Sequence, residues 1–189
     1  MGDYLPSLVS DSNINAMIDL VRRTGPAIGS FVEVGVYKGG TAQHIARLAA
    51  EMKRQAWFFD TFEGIPYADP SKGDRHVVGD FGSGVDFFYI SQALQRIHHH
   101  SFTIKGLFPH SAHGLVPLIG PIAFVHLDVD QYRSYIEAID FLSPLMAKGG
   151  LMFFDDVGIL GGADRAVQEK FPHPRVICDV GDLKPHVRF

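Results

Sequence analysis

The chain has 189 residues, which fits one domain spanning 1–189 and leaves no length for a separate lid or partner domain; it can bury roughly 70% of its unfolded surface without a staple. With 46% hydrophobic and 20% charged residues, disorder as the main state is excluded, and a net charge of −4 lacks the basic excess of a nucleic-acid footprint. The lone cysteine, Cys178, excludes an internal disulfide and a multi-cysteine zinc site, and suits a reducing, cytoplasmic setting.

The N-terminus has no basic segment followed by an apolar core, so no secretory signal is expected. Gly2 is followed by Pro6 where a myristoylation signal needs Ser or Thr. Residues 11–23 predict a leading helix within a helical segment 1–25, capped by Asp11 or Ser12. Six strand-like runs follow, at 30–35, 56–60, 102–105, 122–128, 151–155 and 175–178. Most are nearly continuous in apolar residues, as strands buried on both faces of a parallel sheet are. Between them, 41–53, 85–97, 132–147 and 163–170 have helical spacing. Residues 61–84 are rich in Gly, Pro, Asp and aromatics without a period, which predicts a long functional loop. No run of 18 apolar residues occurs, so no membrane partner is expected. The alternation of strands and helices predicts a doubly wound α/β domain. Such sheets bind ligands at the carboxyl ends of their strands, beside the point where strand order reverses.

Three constellations lie at such strand ends. The first, Phe31-Val-Glu-Val-Gly-Val-Tyr-Lys-Gly-Gly-Thr41, is a strand entering a glycine turn and then a helix. It lacks the Gly-Lys-Ser/Thr ending of a phosphate loop, and Tyr37 occupies the place of the second dinucleotide glycine. Glu33 would repel phosphate and suits a cationic or hydroxyl-bearing ligand. The second is Asp60, about 25 residues after Gly35, where nucleotide folds place an acid for the ribose hydroxyls. The third is the acidic set Asp128, Asp130, Asp155 and Asp156 at two strand ends. Unpaired, these carboxylates repel, and a divalent cation that prefers oxygen ligands, magnesium, calcium or manganese, relieves them. The plainer alternatives are solvated turn acids, helix caps at Asp130 and Asp156, and pairing with Arg133 or Lys38.

The histidines read more modestly. His98-His99-His100 predicts a solvated helix end, His126 a satisfied core histidine, and His110 and His113 side chains near the strand ends. Cys178 reads as packing.

Taken together, these blocks resemble the macrocin O-methyltransferase family, a branch of the class I S-adenosylmethionine-dependent methyltransferases. The resemblance rests on residues 31–40, Phe59-Asp-Thr-Phe-Glu-Gly-Ile-Pro66, Lys105-Gly-Leu-Phe108, Leu127-Asp-Val-Asp-Gln-Tyr132 and Lys148-Gly-Gly-Leu-Met-Phe-Phe-Asp-Asp156. It implies a Rossmann-like, mostly parallel seven-stranded sheet with one antiparallel strand, the final hairpin coming from residues 175–189. It implies S-adenosylmethionine bound by Glu33, Gly35, Tyr37, Gly39, Thr41, Asp60, Thr61 and Asp128, with Glu33 and Gly35 at the methionine part. It also implies a magnesium-dependent transfer to a hydroxyl of a small acceptor, such as a sugar of a natural product. Asp130, Asp155 and Asp156 match the metal carboxylates and Asp128 the base, the choice of Asp128 or Asp130 for the metal staying open. Val129, where the family has Gly, Tyr132-Arg-Ser-Tyr at the next helix and a short N-terminal segment depart from the pattern on the acceptor side.

The chemistry agrees with these residues. A sugar hydroxyl does not ionise in neutral water, so a cation to acidify it and a carboxylate to take its proton are both useful. The rival readings are a non-catalytic S-adenosylmethionine- or nucleotide-binding module acting with a partner subunit, and a nucleotide-sugar oxidoreductase. A homodimer or higher homo-oligomer is compatible with all three.

Overall fold

The computed structural model describes residues 5–24, 28–172 and 186–189. The elements in chain order are α1 (Asp11–Thr24), β1 (Ser30–Val34), α2 (Gly40–Glu51), β2 (Ala56–Asp60), α3 (Phe87–Ile97) and β3 (Ser101–Lys105). A short helix α4 (Val116–Ile119), β4 (Ile122–Leu127), α5 (Tyr132–Leu142), β5 (Met146–Phe154), α6 (Gly161–Lys170) and β6 (His186–Arg188) complete it. The sheet order is β3-β2-β1-β4-β5-β6, parallel except for the antiparallel β5–β6 pair. This is the doubly wound α/β arrangement that the alternating runs predict. It has six strands among the described residues rather than seven. The run at 175–178, with Cys178, lies outside the described residues.

The strands are buried on both faces because their side chains alternate between two cores. Phe31, Phe58, Phe124 and Phe153 face one layer with α1, α2 and α3. Val32, Trp57, Val125 and Phe154 face the other with α5 and α6. Asp86 caps α3 by accepting from the Tyr89 N–H.

One helix is shorter than its spacing predicts. Leu145 and Met146 continue the apolar period of α5, but the helix ends at Leu142 and a 3₁₀ turn follows over Ser143–Leu145. Pro144 has no N–H to donate to the carbonyl four residues back, so the α-helical ladder stops and the backbone stays helical only through the short turn, becoming extended at Met146 (φ −66°, ψ 130°). Met146 then begins β5, paired with Ile122. None of the helices among the described residues is long and apolar enough to cross a membrane.

The order reverses between β1 and β4. The loops leaving these two strands diverge to opposite faces and open a crevice there.

Candidate active site

Gly35 and Asp128 meet across that reversal. Gly35 has φ +90°, and a Cβ there would lie 1.7 Å from the Asp128 carbonyl oxygen, so only glycine fits. Asp60, at the end of β2, braces the same turn. Its Oδ2 accepts from the N–H groups of Val36 at 2.7 Å and Tyr37 at 2.8 Å, and its Oδ1 accepts from Phe62 N–H at 2.6 Å. Thr61 Oγ1 also donates to Asp60 Oδ1 at 3.4 Å, so the carboxylate expected to hold ribose organises the glycine turn with both of its oxygens engaged.

These loops wall a cavity of ≈ 230 Å³ at the strand ends. Of the sequence-predicted cofactor residues, Gly35, Tyr37, Thr41, Asp60, Thr61 and Asp128 line it. Glu33 and Gly39 are not among the lining residues. Glu33 is 1% exposed in mid-sheet, because strand alternation turns it away from the cavity. Gly39 has φ +83°, and a Cβ there would lie 2.8 Å from Leu5 Cδ1. Gly40 likewise makes room for the chain itself: a Cβ would lie 2.3 Å from Ser7 Cα and 2.4 Å from Pro6 O. The N-terminal stretch Pro6–Val9 thus packs on the glycine turn and forms one wall of the cavity.

All four predicted acids line the cavity, but not as one cluster. Carboxylate oxygens of Asp128, Asp155 and Asp156 lie within 4.8 Å of one another, a geometry able to hold a cation. Asp130 stands outside that trio. Its N–H donates to Asp156 Oδ2 at 2.9 Å, while its own Oδ1 faces His76 Nε2 at 3.7 Å. Of the expected set of Asp130, Asp155 and Asp156, the last two thus converge with Asp128, while Asp130, at φ 59°, has its carboxylate beside His76 of the loop. Burial, then the charges of Asp156 and Asp155, holds the Asp128 carboxyl well above the usual range. Burial and the same two neighbours push Asp130 up to about 7. Three mutually repelling oxygen donors are the set an oxygen-preferring divalent cation fits.

Behind the trio lies a buried chain of groups. His126 Nδ1 is 3.0 Å from Glu33 Oε1, and His126 Nε2 is 3.9 Å from Asp155 Oδ1. Burial works against the imidazolium, but Asp155 and Glu33 outweigh it and His126 is held at about 10. Burial also raises the Glu33 carboxyl. His126 is a core histidine as its strand position predicts, with a carboxylate on either side. Tyr135, fully buried on α5, places its hydroxyl 2.8 Å from Asp156 Oδ2.

Sequence reasoning missed Tyr135, His76 and Asp74, whose roles depend on loop packing. Backbone strain marks the site as well. Of the five non-glycine residues with positive φ among the described residues, Tyr37, Phe62, Phe81 and Asp130 line the cavity.

A doubly wound sheet with a glycine turn, a turn-bracing acid and an acidic trio at its switch point defines a class I methyltransferase-like site. The model of the macrocin-O-methyltransferase (TylF) family matches residues 11–180, and the chain belongs to this family. A curated relative, the 8-demethyl-8-(2,3-dimethoxy-alpha-L-rhamnosyl)-tetracenomycin-C 4'-O-methyltransferase of Streptomyces olivaceus, is 28% identical over 142 residues. That match covers 69% of this chain and 54% of the relative, so the chain spans about half the length of the curated protein it matches. The crystal structure of CalS11, a calicheamicin methyltransferase, superposes with a TM-score of 0.80 at 19% identity, over 94% of this chain and 79% of that one. The O-methyltransferase from Bacillus cereus in complex with SAH superposes with a TM-score of 0.60 at 15% identity, over 91% and 74%. Both structures share the fold.

Proposed function

We propose that the chain is an S-adenosylmethionine-dependent O-methyltransferase acting on a hydroxyl of a small acceptor, a sugar moiety of a natural product, with magnesium or a similar cation at its acidic trio. The observation that carries this reading is one cavity lined by the braced glycine turn, Asp60 and Thr61 on one side and by the four aspartates on the other. Family membership and the relatives' names, which specify transfer to a rhamnosylated tetracenomycin and a calicheamicin methyltransferase, support the reaction and the acceptor class. One domain over 1–189 and a cytoplasmic location belong to the same reading.

Asp128, Asp155 and Asp156 would hold a cation, which would supply acidification of a nearby hydroxyl, and the cavity would take S-adenosylmethionine as the source of a methyl group on a sulfonium. The chain's residues do the rest. Gly35 lets the turn close on Asp128, and Asp60 fixes the turn's N–H groups so that the donor site is formed in advance. The acidic walls favour a positively charged donor. With Asp128 in the trio, Asp130 is read as the carboxylate that would take the acceptor's proton, one of the two assignments that the resemblance leaves open. In a transfer that breaks the donor's carbon–sulfur bond and forms the acceptor's carbon–oxygen bond, Asp130 would accept the hydroxyl proton.

Calorimetric titration with S-adenosylmethionine tests the first half, and no binding at millimolar ligand sinks it. Transfer of a radiolabelled methyl group to rhamnosylated acceptors tests the second. Asp155→Ala and Asp156→Ala should abolish turnover while changing cofactor affinity little. Full turnover by both variants under chelator overturns the metal assignment.

A further inference from the structure

The long loop after β2 closes on itself. Ile65 N–H donates to Asp80 O at 2.9 Å and Gly79 N–H to Ile65 O at 3.0 Å, so residues 65–80 form an Ω-loop. Its interior carries one buried acid, Asp74, which is 7% exposed. Asp74 Oδ2 accepts from Asp69 N–H at 2.9 Å within the loop. Asp74 Oδ1 leaves the loop and accepts from Tyr132 N–H at 2.8 Å, in the first turn of α5. That helix receives no side-chain cap from its own Gln131.

The start of α6 is shaped to receive this acid. A Cβ on Gly162 would lie 2.2 Å from Asp74 Oδ1, and one on Gly73 would lie 2.8 Å from Gly161 C. Glycines on both sides of the contact thus let loop and helix touch through backbone. Two residues beyond Asp74, His76 Nε2 faces Asp130 Oδ1 at 3.7 Å and His76 Nδ1 faces Asp80 Oδ2 at 3.6 Å. The His76 ring lies edge-on to Phe81 at 4.9 Å, and Phe81 meets Tyr37 at 5.7 Å over the cavity.

We propose that Asp74 is a positioning residue that clamps the 65–80 loop to the N-terminal ends of α5 and α6, making it a fixed wall that holds His76 against Asp130. The clamp stands on these contacts alone; only its service to an acceptor rests on the methyltransferase reading.

Amide hydrogen exchange on the full chain without ligand is the direct test, together with the imidazole proton resonances of His76, assigned by loss of signal in His76→Gln. The Asp69 and Tyr132 amides should be protected in the wild type. In Asp74→Ala they should exchange about ten- to a hundredfold faster, the size of a lost hydrogen bond to a charged group. The His76 resonances should move from their ring-shifted positions to those of a solvated histidine, a change that lower stability alone does not produce. Gly162→Ala attacks the contact from the other side and should give both signatures; it decides the matter if Asp74→Ala does not fold. Unchanged exchange and His76 resonances in the variant that folds overturn the inference. S-adenosylhomocysteine should bind both variants within about threefold of wild type, since Gly35 and Asp60 lie outside the loop. A wild type that does not bind it sinks the methyltransferase reading, while the exchange data still decide the clamp.

Discussion

Gly35 has no room for a methyl group, and its turn depends on that. Gly35→Ala adds a Cβ 1.7 Å from the Asp128 carbonyl at φ +90°. Strain of that kind costs about 1–3 kcal/mol before any displacement of Asp128, so urea unfolding should show at least that loss together with failure to bind S-adenosylhomocysteine. Wild-type affinity in this variant would mean that the turn tolerates opening. The acids make a second prediction at this scale. Asp130 is pushed up to about 7, above its ordinary value near 3.9. The folded state therefore holds more protons than the unfolded state between about pH 4 and 7, and stability falls as pH rises through that window. His126, held at about 10, extends the fall: the stability of its protonated form is complete below about 6.5 and lost as pH rises toward 10. The melting temperature of chelated protein should thus drop between pH 5 and 8, and magnesium should restore more at pH 8 than at pH 5. A flat profile with no magnesium effect at pH 8 counts against a cation at the trio.

Elements turn these side chains into a site, and α5 does most of this. Tyr135 projects from α5 to the carboxyl ends of β4 and β5, its hydroxyl 2.8 Å from Asp156 Oδ2 and 3.0 Å from Leu127 O. Tyr135→Phe leaves those buried acceptors with one donor fewer, which should cost about 1–3 kcal/mol. Because it also removes one of the donors that hold Asp156 Oδ2, leaving the Asp130 N–H, magnesium affinity by calorimetry should fall about tenfold or more, as when a supporting group is removed from a metal ligand. Unchanged magnesium affinity would leave Tyr135 with a packing role alone. Such pairings are hard to read from sequence. The strand-end acids stood out because apolar runs end in them, and the glycine turn because three glycines follow a buried strand. Tyr135 has the spacing of any core residue, and nothing in its neighbours says that an aspartate 21 positions away meets it. Glu33 misled for a related reason. Proximity to the turn in sequence suggested the cavity, whereas strand alternation turned its side chain inward to His126. The segment 61–84 was recognisable as a long aperiodic loop from its composition, but not its attachment, since that rests on Gly73 meeting Gly161 across 88 positions of chain.

At the scale of the molecule, the cavity draws walls from the loops after β1, β2, β3, β4 and β5 of one sheet together with the N-terminal stretch. Continuous apolar runs made that sheet legible, because two-sided burial leaves no polar face to disguise a strand. The number of strands was less so, as the last run is short and lies outside the described residues. A ligand that touches so many separate loops binds the folded state only, and its binding free energy must appear as stability. At a hundred times its Kd, S-adenosylhomocysteine should add about 2.7 kcal/mol. A chain of this size gains about 2–4 °C per kcal/mol, so the melting temperature should rise by about 5–11 °C. NAD should leave it unmoved, because Tyr37 occupies the place of the second dinucleotide glycine and the acidic walls repel a pyrophosphate. An equal shift from NAD would return the fold to the nucleotide oxidoreductases. No shift from S-adenosylhomocysteine at millimolar concentration would remove the methyl donor from this cavity.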